Sequence, residues 1–153
     1  MAKESSLWQR CRNGITHLRK HGHVAHFCRL ENSAGEGNPD VEGVINGFQC
    51  WIELKSNLRP KRPGTVIRSK TRESQSIWHR ERTEAGSRIH WVLIQVGEAH
   101  AAKLYLIPGS RYDEILVAES WSLGSNGTTL AEMSAIPPDA SVAEVLLRAC
   151  EGW

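Results

Sequence analysis

The chain of 153 residues has no apolar run approaching the roughly 20 residues that cross a bilayer, so no transmembrane helix is expected. Its first residues, MAKESSLWQR, lack the apolar segment of a secretory signal, and the chain is expected to work in the cytoplasm where it is made. No Cys-x-x-Cys pair occurs: Cys11, Cys28, Cys50 and Cys150 are scattered, which argues against a zinc site or a disulfide scaffold and for reduced, mostly buried thiols. No internal repeat is visible. Between residues 55 and 72 there is not one acidic residue.

That local absence belongs to a wider asymmetry. The net charge is +2, yet up to residue 90 there are 16 Lys/Arg against 9 Asp/Glu, and beyond it 3 against 8. A basic first part beside an acidic remainder points to a polyanionic partner for the first part. No basic amphipathic helix with a bulky apolar face accompanies it, so nucleic acid is expected and a membrane surface is not. The length fits a single domain with a modest core, and 40% hydrophobic with 24% charged residues is an ordinary globular composition.

Periodicity divides the chain into elements. Leu7, Cys11, Ile15 and Leu18 share one face of a helix over about 3–20, interrupted by Gly14. HVAHFCRLE (23–31) alternates as a strand does, and NSAGEGN (32–38) is a loop. Strands are expected at about 40–45 and 48–55, then an irregular polar stretch carrying Pro60, Pro63 and Gly64. A helix over 73–85 stops at Gly86, and RIHWVLIQV (88–96) and KLYLIPG (103–109) read as apolar strands. SRYDEILVA (110–118) reads as a short helix, SLGSNGTT as a loop, and DASVAEVLLRAC (139–150) as a helix capped by Asp139 or Ser141. This order predicts an α/β fold, a central mixed β-sheet flanked by helices.

The chemistry concentrates in NPDVEGVINGFQCWIELKSN (38–57). Asn-Gly between two β-runs is the strongest short-range hairpin signal, because a type I′ turn needs positive φ at both central residues. With Asn46 and Gly47 as the loop, Ile45 pairs with Phe48, and counting outward places Asp40 opposite Glu53. Opposite residues share a face with Cβ atoms about 4.5–5.5 Å apart, and Lys55, two further on, shares it too. Facing carboxylates destabilise a sheet unless a cation lies between them. Mg²⁺ takes one or two carboxylates and keeps several waters, and it can activate a bound water against a phosphodiester. Lys55 would then orient that water or stabilise charge in the transition state. An isolated Glu-x-Lys is more often a surface pair. Here the Pro-Asp, the register and the apolar neighbours Trp51, Ile52 and Leu54 favour a site.

These residues resemble the PD-(D/E)XK nuclease superfamily. The wider pattern GNPDVEG…GFQCWIELKS…RESQSIWHRERTEAGSRIHWVLIQV is similar to its VRR-NUC and Holliday-junction-resolvase-like branches, which include small phage-encoded members. The likeness spans about 4–108 and leaves 109–153 as an extension packing on the core of one nuclease domain. It implies a restriction-endonuclease-like core in which Asp40, Glu53 and the Leu54 carbonyl bind Mg²⁺, with Mn²⁺ able to substitute, and Lys55 acts on the water. Gln75 matches a glutamine that lies near the site in that family. Glu4 matches an acidic residue of its first helix, although a first-turn Glu is also favoured by the helix dipole. The implied activity is a DNA endonuclease selective for branched DNA such as a Holliday junction, working as a homodimer because two symmetric cuts are needed. A restriction-type or general single-strand nuclease, and a non-catalytic DNA-binding module, remain the alternatives.

Arg59, Lys61, Arg62, Arg68, Lys70 and Arg72 follow the Glu-x-Lys strand and are expected to contact DNA phosphates. Trp51, Trp78, Trp91 and Trp8 are expected in the core. His21, His23 and His26 lack a completing cysteine or acid and are not expected to hold a metal.

Overall fold

The computed structural model describes residues 4–30, 37–58, 61, 72–97, 101–117 and 129–153. In chain order the elements are α1 (Glu4–Lys20), β1 (Ala25–Arg29), β2 (Val41–Ile45), β3 (Phe48–Asn57), α2 (Glu73–Glu84), β4 (His90–Val96), β5 (Lys103–Pro108), a 3-10 helix (Gly109–Val117), α3 (Leu130–Met133) and α4 (Val142–Glu151). The strands form one sheet in the order β1-β2-β3-β4-β5. Every neighbouring pair is antiparallel except β3–β4, which is parallel. The fold is α/β, a mixed and mostly antiparallel sheet flanked by helices.

The hairpin that opens this sheet follows from two residues. Asn46 and Gly47 adopt φ of 52° and 89°, the left-handed pair a type I′ turn demands. The asparagine is also held from outside, its Oδ1 accepting from the Val24 amide at 2.9 Å. The resulting register is Ile45↔Phe48 through Val41↔Ile52, as the turn predicts.

Strand β4 explains the central position of its apolar run. All seven of its residues are buried, because the sheet is covered on both faces there. On one face Leu54, Ile52 and Cys50 of β3 and Trp91 and Leu93 of β4 pack with Leu7, Cys11, Ile15 and Leu18 of α1 and with Val142, Val145, Leu146 and Ala149 of α4. Trp91 anchors that layer by donating Nε1–H to the Ala149 carbonyl at 2.8 Å. On the other face Val92, Ile94 and Val96 meet Tyr112, Ile115, Leu130 and Met133. The interruption of α1 at Gly14 has a packing reason: a Cβ there would lie 2.1 Å from Val142 Cγ1, so the two helices touch at a point only glycine allows.

Between the two expected caps of α4, the Ser141 hydroxyl takes the role, accepting from the Glu144 amide at 3.2 Å. Residues 109–117 wind as a 3-10 helix kinked at Arg111 where a short α-helix was expected. The short helix α3 is a further element without a periodic signal. Its four residues are too few for one, and Thr129 starts it by accepting from the Glu132 amide at 3.1 Å. Cys11, Cys50 and Cys150 are buried and Cys28 is exposed, all as free thiols.

Candidate active site

Strand β3 sets the site by the alternation of its backbone bonds. Trp51 donates its amide to the Ile89 carbonyl at 2.8 Å, and the Asn57 carbonyl accepts from Gly97 at 2.9 Å. Odd-numbered residues of β3 therefore turn their backbone groups toward β4, and even-numbered ones turn theirs toward β2. Strand β2 begins only at Val41, whose partner is Ile52. Leu54, one step beyond on that side, finds Asp40 in place of a strand residue: its N–H donates to Asp40 Oδ2 at 2.8 Å. The carboxylate thus continues the ladder by one bond, and the Leu54 carbonyl opens to the same side.

Glu53 and Lys55 project to the face opposite Leu54 and are 2% and 5% exposed. Charged side chains at this depth persist where they are paired and hydrogen-bonded. Their common partner is Gln75 in the first turn of α2. Its Nε2 donates to Glu53 Oε1 at 2.7 Å, and its Oε1 accepts from Lys55 Nζ at 3.0 Å. The direct Lys55–Glu53 approach is longer, 3.6 Å to Oε1, an ion pair that the amide braces by bonding both groups. The amide's orientation is set by its neighbours, since an ammonium only donates and a carboxylate only accepts.

Two contacts fix where α2 delivers Gln75. Gly37, at φ +85°, lies so close to the helix that a Cβ would come within 2.2 Å of the Ser74 carbonyl oxygen. The loop leading to Asp40 is thereby held against the turn that carries Gln75. From the other side Tyr112 of the 3-10 helix donates its hydroxyl to Gln75 Oε1 at 2.5 Å. Burial, first, and the nearby Glu53 carboxylate push the Tyr112 phenol well above its usual range, so it remains a donor at neutral pH.

Behind Gln75 lies a buried imidazole pair. The His79 and His90 rings lie 5.1 Å apart with Nδ1 atoms at 2.8 Å, and the Tyr112 ring stacks on His79 at 5.1 Å. Burial lowers the first to about 3 and the second to about 4, with mutual repulsion and the Lys55 charge adding to the fall at His79. The hydrogen bonds assign the tautomers. Thr83 donates its hydroxyl to the His79 carbonyl at 2.8 Å, so its oxygen accepts from His90 Nε2–H at 3.3 Å. His90 Nδ1 is then the acceptor for His79 Nδ1–H.

Of the residues singled out in the sequence, Glu53, Lys55 and Gln75 are joined directly, and Asp40 is bonded to the Leu54 amide between Glu53 and Lys55. Glu4 is the first residue of α1, and its side chain lies outside the described part. Lys61 and Arg72 are exposed, while Arg59, Arg62, Arg68 and Lys70 lie outside the described residues. His23 hydrogen-bonds Asn46 through Nδ1 and His21 the His17 carbonyl. Trp91 is buried, whereas Trp8, Trp51 and Trp78 are half-buried. Arg82 lies over the Trp51 and Trp78 rings at 5.4 and 4.6 Å. Tyr112 carried no motif in the sequence. A second unforeseen polar contact links the helix layer to the sheet: Arg10 donates to the buried Gln95 at 2.8 Å.

Among the described residues no group of three or more His, Cys, Asp and Glu is gathered for a metal. Two carboxylates and a carbonyl are hard oxygen donors, too few for a closed cage. That set suits a cation that completes its shell with water, as Mg²⁺ does.

Comparison with protein-family models finds no match for this chain, and comparison with curated proteins finds none either.

Proposed function

We propose that the chain is a Mg²⁺-dependent DNA endonuclease with a restriction-endonuclease-like core. The observation that carries this reading is the buried Glu53–Gln75–Lys55 cluster set beside the Asp40 carboxylate at the end of β2. Burying a carboxylate and an ammonium through an amide, at the edge where the strand ladder runs out, is an expensive way to stabilise a fold and an effective way to prepare a site.

Asp40, Glu53 and the Leu54 carbonyl are the residues that would hold Mg²⁺. When bound, the ion supplies an activated water and neutralises charge on the scissile phosphate. Lys55 offers an ammonium that would orient the water or meet the developing charge on phosphate oxygen. Gln75, bonded to both groups, holds the ammonium in place beside Glu53. The seven Lys and Arg between 55 and 72, with Lys61 and Arg72 exposed, supply phosphate contacts of a kind indifferent to base sequence. That indifference favours a substrate chosen by shape, and branched DNA cut by a homodimer is the form proposed.

The test is cleavage of a synthetic four-way junction, a flap and a linear duplex with Mg²⁺ or Mn²⁺, comparing the wild type with Asp40→Ala and Lys55→Ala. Cleavage of the junction in preference to the duplex, abolished in both variants, is expected. Equal cleavage of duplex or single strands would make it a general nuclease, and unchanged cleavage in both variants would remove the catalytic assignment. DNA binding without cleavage, and without a Mg²⁺ site lost in Asp40→Ala, would leave a binding module.

A further inference from the structure

The segment after β5 lies outside the family likeness, yet it reaches the candidate site at one atom. Tyr112 is buried in the second hydrophobic layer with Ile107 and Ile115. Its ring lies on His79 at 5.1 Å and 19°, and its hydroxyl donates to Gln75 Oε1 at 2.5 Å. We infer that Tyr112 is a positioning residue: it anchors the Gln75 amide that bonds both Glu53 and Lys55, and so fixes where that ion pair presents its carboxylate and its ammonium.

The inference rests on the proposed nuclease reading for its effect on rate, and on geometry for the anchor itself. Gln75 is a long, half-buried side chain, free in three torsions when nothing holds its end. Glu53 and Lys55, two side chains from the same strand, orient its amide from one side. Tyr112 is different. Its ring is clamped by packing, two torsions place its hydroxyl, and a carbonyl oxygen has two lone pairs, enough to accept from both Tyr112 and Lys55.

Removing that fixed point leaves the Lys55–Glu53 ion pair, 3.6 Å from Nζ to Oε1, with a loosened brace. Opposite charges at that distance attract strongly where water is excluded. The ammonium would then occupy a Glu53 oxygen that Mg²⁺ needs and would turn away from the phosphate. Residues 109–117 thus become part of the site's framework.

The full-length Tyr112→Phe variant tests this, because it keeps the ring and its stacking and deletes one oxygen. In ¹⁵N-labelled protein without metal, the Gln75 side-chain NH₂ pair, identified by its loss in Gln75→Glu, is expected to exchange with solvent about tenfold faster in the variant. With Mg²⁺ and junction DNA, kcat is expected to fall by about tenfold, with KM for DNA unchanged and half-maximal activity at a higher Mg²⁺ concentration. Unchanged amide exchange overturns the anchor. Faster exchange with an unchanged rate in an active chain overturns its positioning role. A wild type that cleaves nothing, together with faster exchange in the variant, upholds the anchor and defeats the nuclease reading instead.

Discussion

Asp40→Asn and Asp40→Ala separate two tasks of one carboxylate. Oδ2 accepts from the Leu54 amide at 2.8 Å, and Leu54 is fully buried, so deleting the acceptor leaves a backbone N–H without its partner. A hydrogen bond to a charged acceptor is worth about 1.5–3 kcal/mol. For a chain of this size 2 kcal/mol corresponds to a melting temperature lower by about 4–8 °C, which is the expected result for Asp40→Ala without metal. Asparagine keeps a carbonyl oxygen where Oδ2 was, so Asp40→Asn is expected to melt within about 2 °C of the wild type in EDTA. Toward added Mg²⁺ the two variants should behave alike. A wild-type site at a hundredfold excess over Kd gains about 2.7 kcal/mol by mass action, a rise of several degrees, and neither variant should show it. Melts with and without 10-fold steps of Mg²⁺, followed by calorimetric titration, read both effects. Asp40→Asn melting as low as Asp40→Ala would refute the bond to Leu54. An undiminished Mg²⁺ shift in Asp40→Asn would refute the placement of the metal.

The imidazole pair predicts acid lability: with folded values depressed to about 3 and about 4, the unfolded chain binds more protons from about pH 6.5 downward, so stability falls toward pH 4. Denaturant titrations at pH 7 and pH 5 should show a loss of about 2 kcal/mol per pH unit that shrinks in His79→Leu, and equal stability at both would contradict the buried pair. Gly37→Ala is expected to destabilise the fold by about 2 kcal/mol or more, since it forces an alanine to positive φ against the Ser74 carbonyl, and an unaltered melting curve would mean this loop does not pack on α2. Replacing Lys61 and Arg72 together by alanine should lower the salt slope of DNA binding by about 2 while leaving the preference among DNA shapes intact, and an unchanged slope would place the DNA elsewhere.

The hairpin was readable because its information is local. Asn46 and Gly47 admit essentially one turn type, and that turn fixes the register which puts Asp40 one step past Val41. The same holds for α1, α2, β4 and β5, whose periodicity or apolar runs extend over several residues. What the register could not reveal is that Asp40 is already engaged by the Leu54 amide, because backbone direction at the end of a ladder depends on where the neighbouring strand stops. Gln75 carried a signal through family likeness alone. Tyr112 carried none: 37 residues separate it from its partner, and nothing in SRYDEILV distinguishes a phenol that reaches another helix from one that packs. The histidine pair was similarly invisible, since His79 and His90 meet through the packing of α2 on β4.

The parallel pairing of β3 with β4 has a consequence for how such a molecule changes. Two parallel strands cannot be joined by a tight turn, so the chain must travel from one end of the sheet to the other, and it does so between Asn57 and His90. That obligatory detour begins two residues after Lys55, and it contains the whole basic stretch before α2 returns with Gln75. Closing a longer connection costs only about 0.6 kcal/mol more for each doubling of its length. Basic charge can therefore be added, lost or rearranged in the detour while the strands on either side keep their register. On the proposed nuclease reading, such a chain would acquire a new target without relearning its chemistry.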